Sequence, residues 1–332
     1  MKFNEEILIG NKIGVELIEN LREGDLFIYS PTSISQLKNI RIGAGAECIS
    51  RKELKLDKNK IEDFSQNKKF RRIVSFGNGQ TADTAKFISK TLRIEHVYLP
   101  AMFSTNAAFT DKSCLFSAGK KLTFDSSPPN KVIIDFDILK KCDFKYNLMG
   151  MAEIISIFTA LEDWKIADKR KVEKIDRVIF ESARNLTSLL ENNLDLILKK
   201  DKSSLKFIFQ LLIQSAYLTN IYGSGRAESG SEHIFAKHLE GETTVFHGTA
   251  VAFGSLIFSI IQGKNYKKIF ALIKKLEILK RKDLGISKND LIRILSTLKS
   301  RPDRYSVIDS KQITKAYSKI IINRIFNDLG WK

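Results

Sequence analysis

One carboxylate and two histidines in the second half of the chain have the residue types of a metal-binding site. Glu153 is the only charged residue between Leu148 and Leu161, in a predominantly apolar stretch of helical character. A bare carboxylate in such surroundings is costly, so we expect it to be paired, protonated or bound to a cation. His233 and His247 stand near the predicted starts of two successive helices. One Asp or Glu with two His is a usual donor set for a catalytic divalent metal.

Each of these residues also has an ordinary structural interpretation. A buried histidine can be satisfied by hydrogen bonds, and Glu153 can pair with one of the many lysines. Ser229 and Glu232 have the spacing of a capping box, which predicts that His233 lies in the first turn of a helix. From the residues alone, a metal site and separate structural roles both remain open.

A turn in the first half of the chain has the composition of a phosphate-binding loop. The sequence Gly77-Asn78-Gly79-Gln80 lies between a β-like run and a segment with the apolar spacing of a helix. Glycines let the backbone approach a pyrophosphate, and a helix N-terminus offers free N–H groups and a favourable dipole. The third glycine of the usual dinucleotide fingerprint is missing. A plain tight turn therefore remains an alternative.

The elements that position these residues change character along the chain. Helix-length segments separate short β-like runs, which predicts βαβ units and a largely parallel sheet; the runs are 25–29, 72–76, 95–99 and 132–135. Long amphipathic segments then follow one another at 148–168, 174–190, 203–222, 230–239 and 248–263. We predict an α/β domain over residues 1–145 and an all-α domain over residues 146–332.

The composition is that of a soluble globular protein. The chain has 332 residues, 43% of them hydrophobic and 28% charged, which suits two domains with a large core. The net charge is +17, but the lysines are spread along the chain without a nucleic-acid-binding motif, so no nucleic-acid partner is expected. The N-terminus does not resemble a signal peptide, the apolar runs are too short to span a membrane, and the three cysteines match no metal-ligand spacing. These features indicate free thiols and a cytoplasmic location.

Several motifs resemble the superfamily of iron-containing alcohol dehydrogenases, glycerol dehydrogenases and dehydroquinate synthases. Segment 77–86 is similar to its Gly-Gly-Gly…Asp…Lys signature. Other motifs resemble the glycerol-1-phosphate dehydrogenase group and follow in its order. They are Pro128-Pro129 with Asp135, Gly150-Met151-Ala152-Glu153 with Asp163-Trp164, Gly225-Arg226 with Ser229-Gly230-Ser231-Glu232-His233, His247-Gly248, and Arg301-Pro302 with Arg304-Tyr305.

This resemblance implies a dehydroquinate-synthase-like fold, with an α/β nucleotide-binding domain, an all-α metal- and substrate-binding domain, and the active site in the cleft between them. It implies one divalent ion, Zn²⁺, Ni²⁺ or Fe²⁺, on Glu153, His233 and His247. It also implies NAD or NADP, with residues that contact the cofactor at Gly77, Asn78, Gly79, Gln80, Asp83 and Ser104. Asn106 stands where the family has an Asp that contacts substrate hydroxyls, and Lys237 stands where a His is frequent.

The resemblance further implies a homo-oligomer that reduces a small phosphorylated ketone, dihydroxyacetone phosphate, to sn-glycerol 1-phosphate with NAD(P)H. An alternative is a sugar-phosphate cyclase of the dehydroquinate-synthase type with catalytic NAD, which Glu153, Asn106 and Lys112 favour. The chain lacks that group's Asp-Ser-Ser…Gly-Gly-Lys stretch after Pro100. A third alternative is a non-catalytic nucleotide-binding protein, against which the intact Glu-His-His set argues.

Overall fold

The computed structural model describes residues 3–66 and 68–331. Contacts between Cα atoms divide the chain into two compact units. The first consists of residues 1–147 with 200–209, and the second of residues 148–199 with 210–332. The short segment 200–209 belongs to the first unit although it lies far along the sequence. Nothing in its composition indicated this.

The first unit contains a parallel sheet and a hairpin. The described residues form eight strands: β1 (Glu6–Gly10), β2 (Asp25–Tyr29), β3 (Glu47–Ser50), β4 (Arg72–Gly77), β5 (Glu95–Pro100), β6 (Lys112–Ser117), β7 (Lys120–Asp125) and β8 (Lys131–Asp135). Six of them form one sheet in the order β1–β8–β5–β4–β2–β3, and all its pairs are parallel. The strands β6 and β7 form a separate antiparallel pair. The predicted α/β class with a parallel sheet is confirmed.

The four predicted strands are β2, β4, β5 and β8, the interior strands of the sheet. Their apolar residues are buried on both faces, as expected when helices cover a parallel sheet. Four strands were missed. The strands β1 and β3 lie at the sheet edges and expose much of their surface, and the β6–β7 hairpin begins both its strands with lysine. The strand β1 does contain the apolar run Ile7-Leu8-Ile9 and could have been predicted from it, whereas β3 and β7 have no such run.

Helices connect the strands of the first unit and form most of the second. They are α1 (Ile13–Glu19), α2 (Lys58–Ser65), α3 (Gly79–Leu92), α4 (Phe136–Leu139), α5 (Phe144–Met149), α6 (Met151–Lys169), α7 (Arg177–Asn192), α8 (Leu194–Leu198), α9 (Lys202–Tyr222), α10 (Ser231–Glu242), α11 (His247–Gln262), α12 (Tyr266–Leu276), α13 (Lys288–Thr297), α14 (Val307–Ser310) and α15 (Lys315–Asp328).

In the second unit, every element named above is a helix. All five predicted amphipathic segments are helices, namely α6, α7, α9, α10 and α11, with ends shifted by a few residues. Two of them, α6 and α11, are buried on nearly every side, which explains their high apolar content. In residues 3–66 and 68–331, no helix is both long enough and apolar enough to cross a bilayer.

Candidate functional site

Three helices of the second unit bring Glu153, His233 and His247 together at their N-terminal ends. Glu153 lies in the first turn of α6, His233 is the third residue of α10, and His247 is the first residue of α11. Glu153 is 4% exposed and His233 is 8% exposed. The ligand atoms of the three side chains all lie within 4.8 Å of one another.

Glycines allow the helix starts to approach this closely. A Cβ atom on Gly248 would lie 2.3 Å from the carbonyl oxygen of Met149, just before α6. A Cβ atom on Gly254 would lie 2.7 Å from the carbonyl oxygen of Glu232, on α10. Both distances are far below van der Waals contact, so any side chain at either position would push α11 away from a neighbouring helix. The spacing of the three donor residues therefore depends on backbone contacts at glycine.

The donor atoms have the spacing of ligands on one metal ion. His233 Nε2 lies 3.3 Å from Glu153 Oε2, and His247 Nε2 lies 3.3 Å from Glu153 Oε1. These distances are long for charge-assisted hydrogen bonds. Ligands on a tetrahedral ion with bonds of about 2.1 Å are about 3.4 Å apart. Each imidazole nitrogen therefore lies at ligand spacing from one oxygen of the Glu153 carboxylate, an arrangement that suits Zn²⁺ or a similar divalent ion.

Two further carboxylates hold the outer nitrogens of the histidines. Nδ1 of His233 lies 2.9 Å from Glu232 Oε1, and Nδ1 of His247 lies 2.7 Å from Glu240 Oε1. The second oxygen of Glu232 accepts a hydrogen bond of 2.7 Å from Thr159 Oγ1. A carboxylate on Nδ1 keeps a proton on that atom and directs the Nε2 lone pair inward. Both histidines are thus arranged to present Nε2 to a cation.

The local electrostatics favour positive charge between these groups. Burial alone would lower the pKa of His247, but Glu240 and Glu153 raise that pKa to about 10. Burial also opposes charge on His233, whose pKa is raised by Glu153 and Glu232. The pKa of Glu153 is lowered despite its burial, since both imidazoles face it. A site that holds protons on the buried imidazole of His233 and the half-buried imidazole of His247 would also favour a divalent cation in place of the Nε2 protons.

The turn at the end of β4 can accept only glycine at two positions, Gly77 and Gly79. Gly77 has φ +152°, and a Cβ there would lie 2.6 Å from Ser30 Cβ and from Thr81 Oγ1. A Cβ on Gly79 would lie 2.5 Å from Thr105 Oγ1. Packing within the chain therefore already requires both glycines. Asn78 caps α3 by accepting from Thr81 N, and the N–H groups of Gly79 and of exposed Gln80, at the start of the helix, are those we expect to meet an anion.

Asp83 faces the β6–β7 hairpin. Its carboxylate accepts a hydrogen bond from Cys114 N at 3.1 Å and forms an ion pair with Lys86 at 2.9 Å. Lys86 is fully buried and also donates to the carbonyl oxygens of Ala107 and Lys112. These contacts anchor the segment after β5 to α3. A direct contact of Asp83 with a nucleotide stays a prediction.

Ser104 and Asn106 lie in the segment that follows β5. Ser104 is half-buried and Asn106 is buried. The segment is held at its start by Asn147, whose Oδ1 accepts a hydrogen bond of 2.7 Å from Phe103 N, and by the Lys86 contact at Ala107. The roles of Ser104 toward nicotinamide and of Asn106 toward substrate stay predictions.

The sequence analysis did not identify all the side chains that hydrogen-bond to His233 and His247. The predicted capping box is wrong about the N-cap residue. Ser229 was expected in that position, but α10 begins after Gly230, which has no side chain to cap the helix. Glu232 does accept from Gly230 N, but the same carboxylate also holds His233 and Thr159. Glu240 was not identified, since its seven-residue separation from His247 spans a helix end and a loop that no periodicity describes.

Comparisons with known proteins identify the type of fold. A family model described as iron-containing alcohol dehydrogenase matches residues 32–143. Over nearly the whole chain, the structure is similar to a probable glycerol dehydrogenase from Sinorhizobium meliloti, with a TM-score of 0.74 and 15% identity, covering 98% of this chain and 97% of the other. The fold is therefore that of the iron-containing alcohol dehydrogenase type, as predicted.

Sequence relatives narrow the resemblance. The chain is 26% identical to the glycerol-1-phosphate dehydrogenase [NAD(P)+] of Aeropyrum pernix, over 76% of this chain and 73% of the relative. It is also 26% identical to the enzyme of the same name from Sulfurisphaera tokodaii, over 91% of each chain. The predicted similarity to glycerol-1-phosphate dehydrogenases within the iron-containing alcohol dehydrogenase superfamily is confirmed.

Proposed function

We propose that this chain is a metal-dependent dehydrogenase that reduces dihydroxyacetone phosphate to sn-glycerol 1-phosphate with NADH or NADPH. The donor set of Glu153, His233 and His247, with Glu232 and Glu240 on the outer histidine nitrogens, is the observation that carries the proposal. The relatives named as NAD(P)+-dependent glycerol-1-phosphate dehydrogenases support the choice of cofactor and ketone.

A divalent ion bound to these three side chains would supply Lewis acidity toward a ketone oxygen. The bound nicotinamide would supply hydride to the carbonyl carbon, and a proton from solvent would complete the alcohol. Glu153 adds one negative charge to the donor set, while Glu232 and Glu240 keep both imidazoles oriented. The turn Gly77–Gln80 and the first N–H groups of α3 would hold the pyrophosphate of the cofactor.

A cation near the donor set would favour a phosphorylated substrate, and Lys237 is our candidate for that cation. His233 and Glu240 lie on the same helix, and both approach His247: the two imidazole centroids are 5.4 Å apart, and Glu240 Oε1 is 2.7 Å from Nδ1. Lys237 follows His233 by four residues and precedes Glu240 by three, so it shares this helix face. Its side chain is half-buried.

The test is oxidation of NADH and NADPH with a panel of phosphorylated and phosphate-free ketones. The proposal expects loss of nicotinamide absorbance with dihydroxyacetone phosphate and identification of the product as sn-glycerol 1-phosphate. Lys237→Met should raise the KM for the phosphorylated ketone and leave the KM for dihydroxyacetone unchanged. Lys275→Met is the matched control, because Lys275 is an exposed lysine on α12.

Two outcomes would count against parts of the proposal. If only another phosphoketone is reduced, the proposed reaction class stands, but dihydroxyacetone phosphate is not the substrate. If no ketone oxidises NAD(P)H while a seven-carbon sugar phosphate releases inorganic phosphate, the chain is a cyclase instead.

A further inference from the structure

The helix that carries His233 begins without a cap from its own N-cap residue. That residue is Gly230, and the first N–H groups of a buried helix need acceptors. Asp163, on α6, supplies one: its Oδ2 accepts hydrogen bonds of 2.7 Å from both Ser231 N and Ser231 Oγ. We propose that Asp163 is a positioning residue of the metal centre, which caps α10 from a neighbouring helix and thereby fixes the place of His233.

The second oxygen of Asp163 extends the connection to α11. Oδ1 accepts hydrogen bonds of 2.9 Å from Gln262 Nε2 and from Val307 N. Gln262 is the last residue of α11, the helix that begins with His247. A single fully buried carboxylate thus lies on the helix of Glu153 and bonds to the other two helices that carry donor residues. The three donor helices are tied together at this point.

Gly230 is the residue type that leaves room for this cap. A Cβ atom on it would lie 2.5 Å from Asp163 Oδ2 and 3.1 Å from Ala160 Cα. The Ser, Thr, Asp or Asn that usually caps a helix would therefore collide with α6. The close approach of α6 excludes a cap from α10's own N-cap position, and the carboxylate of Asp163 takes over that function.

The same face of α6 holds the rest of the loop that leads into α10. Ser156 Oγ donates to Glu228 O at 2.7 Å, and Thr159 Oγ1 donates to Glu232 Oε2 at 2.7 Å. Glu153, Ser156, Thr159 and Asp163 follow one another at spacings of three, three and four residues, which places them along one side of the helix. One side of α6 therefore carries a donor residue and three polar anchors for the segment of His233.

This inference rests on the proposed metal centre, because its main measurement is metal affinity. Asp163→Asn keeps the shape of the side chain but turns one acceptor oxygen into a donor amide that faces N–H groups. Asp176→Asn is the matched control, since Asp176 caps α7 through Ile179 N at 3.1 Å and α7 carries none of the donor residues. Co²⁺ affinity would be measured by competition with a chromophoric chelator in folded protein, with the cobalt absorption spectrum as a record of geometry.

Asp163→Asn should weaken Co²⁺ binding by about tenfold or more and alter the cobalt spectrum, within the range seen when groups around metal ligands are lost. Asp176→Asn should change affinity by less than about twofold. Ser231→Ala removes one of the two Ser231 bonds and should give an intermediate loss; it also serves if Asp163→Asn does not fold. Unchanged Co²⁺ affinity in folded Asp163→Asn, or equal losses in both Asp variants, would overturn the inference.

Hydrogen exchange separates this inference from the metal proposal. The amides of residues 231–234 should exchange faster in Asp163→Asn than in the wild type, and those at the start of α7 should not. If the wild-type chain binds no Co²⁺, the metal centre fails, and exchange at 231–234 still decides whether Asp163 caps α10. Unchanged exchange there would reject the cap itself.

Discussion

His247 Nδ1 lies 2.7 Å from Oε1 of Glu240, a carboxylate on the preceding helix. His233 has the same relation to Glu232, at 2.9 Å. Both carboxylates belong to α10, so one helix orients its own histidine and the histidine that begins α11. Such outer carboxylates fix the tautomer of a ligand histidine and increase its basicity. The metal affinity of the proposed centre therefore depends on residues that do not contact the ion.

Glu240→Gln should weaken Zn²⁺ binding by about 10- to 100-fold, because an amide neither carries charge nor holds the Nδ1 proton as firmly. The measurement is competition with a fluorescent chelator. Glu242→Gln is the control, since Glu242 lies on the same helix and pairs with Arg293 at the surface. If both variants bind Zn²⁺ like the wild type, Glu240 does not orient His247.

Gly254→Ala should separate α11 from α10, because its Cβ would lie 2.7 Å from Glu232 O. Overpacking of this kind costs about 1–3 kcal/mol of unfolding free energy. We expect metal affinity to fall as well, since Glu232 adjoins His233. Gly241→Ala, also on α10, is the control, because a Cβ atom at Gly241 would have no neighbour within 4 Å. This variant should leave the unfolding free energy unchanged or raise it by up to about 1 kcal/mol. Denaturant titration and metal competition on both variants test this, and equal stability of the two would show that the helices adjust freely.

Gln80→Glu tests the nucleotide turn without steric disturbance. Gln80 is exposed in the first turn of α3, so a carboxylate there should favour the helix dipole by about 0.3–1 kcal/mol while repelling a pyrophosphate. We expect unchanged or higher thermal stability together with weaker NADH and NADPH binding in fluorescence titration. Asn59→Glu places the same charge at the equivalent position of α2 and should not affect the nucleotide. Equal affinity of Gln80→Glu and wild type would mean that the turn is only structural.

The sequence predicted the parts of this structure that have a strong local pattern. The interior strands β4 and β5 and the helix α6 have runs of apolar residues whose period and length indicate their type. Glu153 was identifiable because its charge stands alone in such a run. The edge strand β3 could not be predicted in the same way, since only Ile49 among its residues is buried.

Contacts between distant residues were beyond the reach of the sequence. Asp163 and Ser231 are 68 residues apart, and their bond depends on how two helices pack. The glycines at 248 and 254 were readable as helix residues, but their close contacts exist only in the folded unit. At Gly77 and Gly79 the sequence suggested contact with a ligand. The structure shows that close contacts with neighbouring side chains already require glycine at both positions.

His96 should make the protein less stable in acid. Burial, with the charge of Lys86, lowers the pKa of His96 to about 3, and its Nε2 lies 2.7 Å from Ser75 Oγ. The folded protein keeps this imidazole neutral, whereas the unfolded chain binds a proton below about pH 6.5. Its contribution is therefore present above pH 6.5 and is lost as the pH falls toward 3, by about 2 kcal/mol at pH 5. His96→Gln should flatten the pH dependence of unfolding free energy between pH 6.5 and 4. Parallel curves for the two proteins would show that His96 is protonated in the fold.

The most direct test of the account is a metal titration of chelator-treated protein, followed by the initial rate of NAD(P)H oxidation with dihydroxyacetone phosphate. The rate should rise linearly with added Zn²⁺, Ni²⁺ or Fe²⁺ and level off at one equivalent per chain. His247→Ala should not recover, whereas His238→Ala should recover like the wild type, since His238 is an exposed residue of α10 bonded to Ile234 O of the same helix. Full activity of the metal-free protein, or full recovery of His247→Ala at one equivalent, would contradict a metal centre at Glu153, His233 and His247.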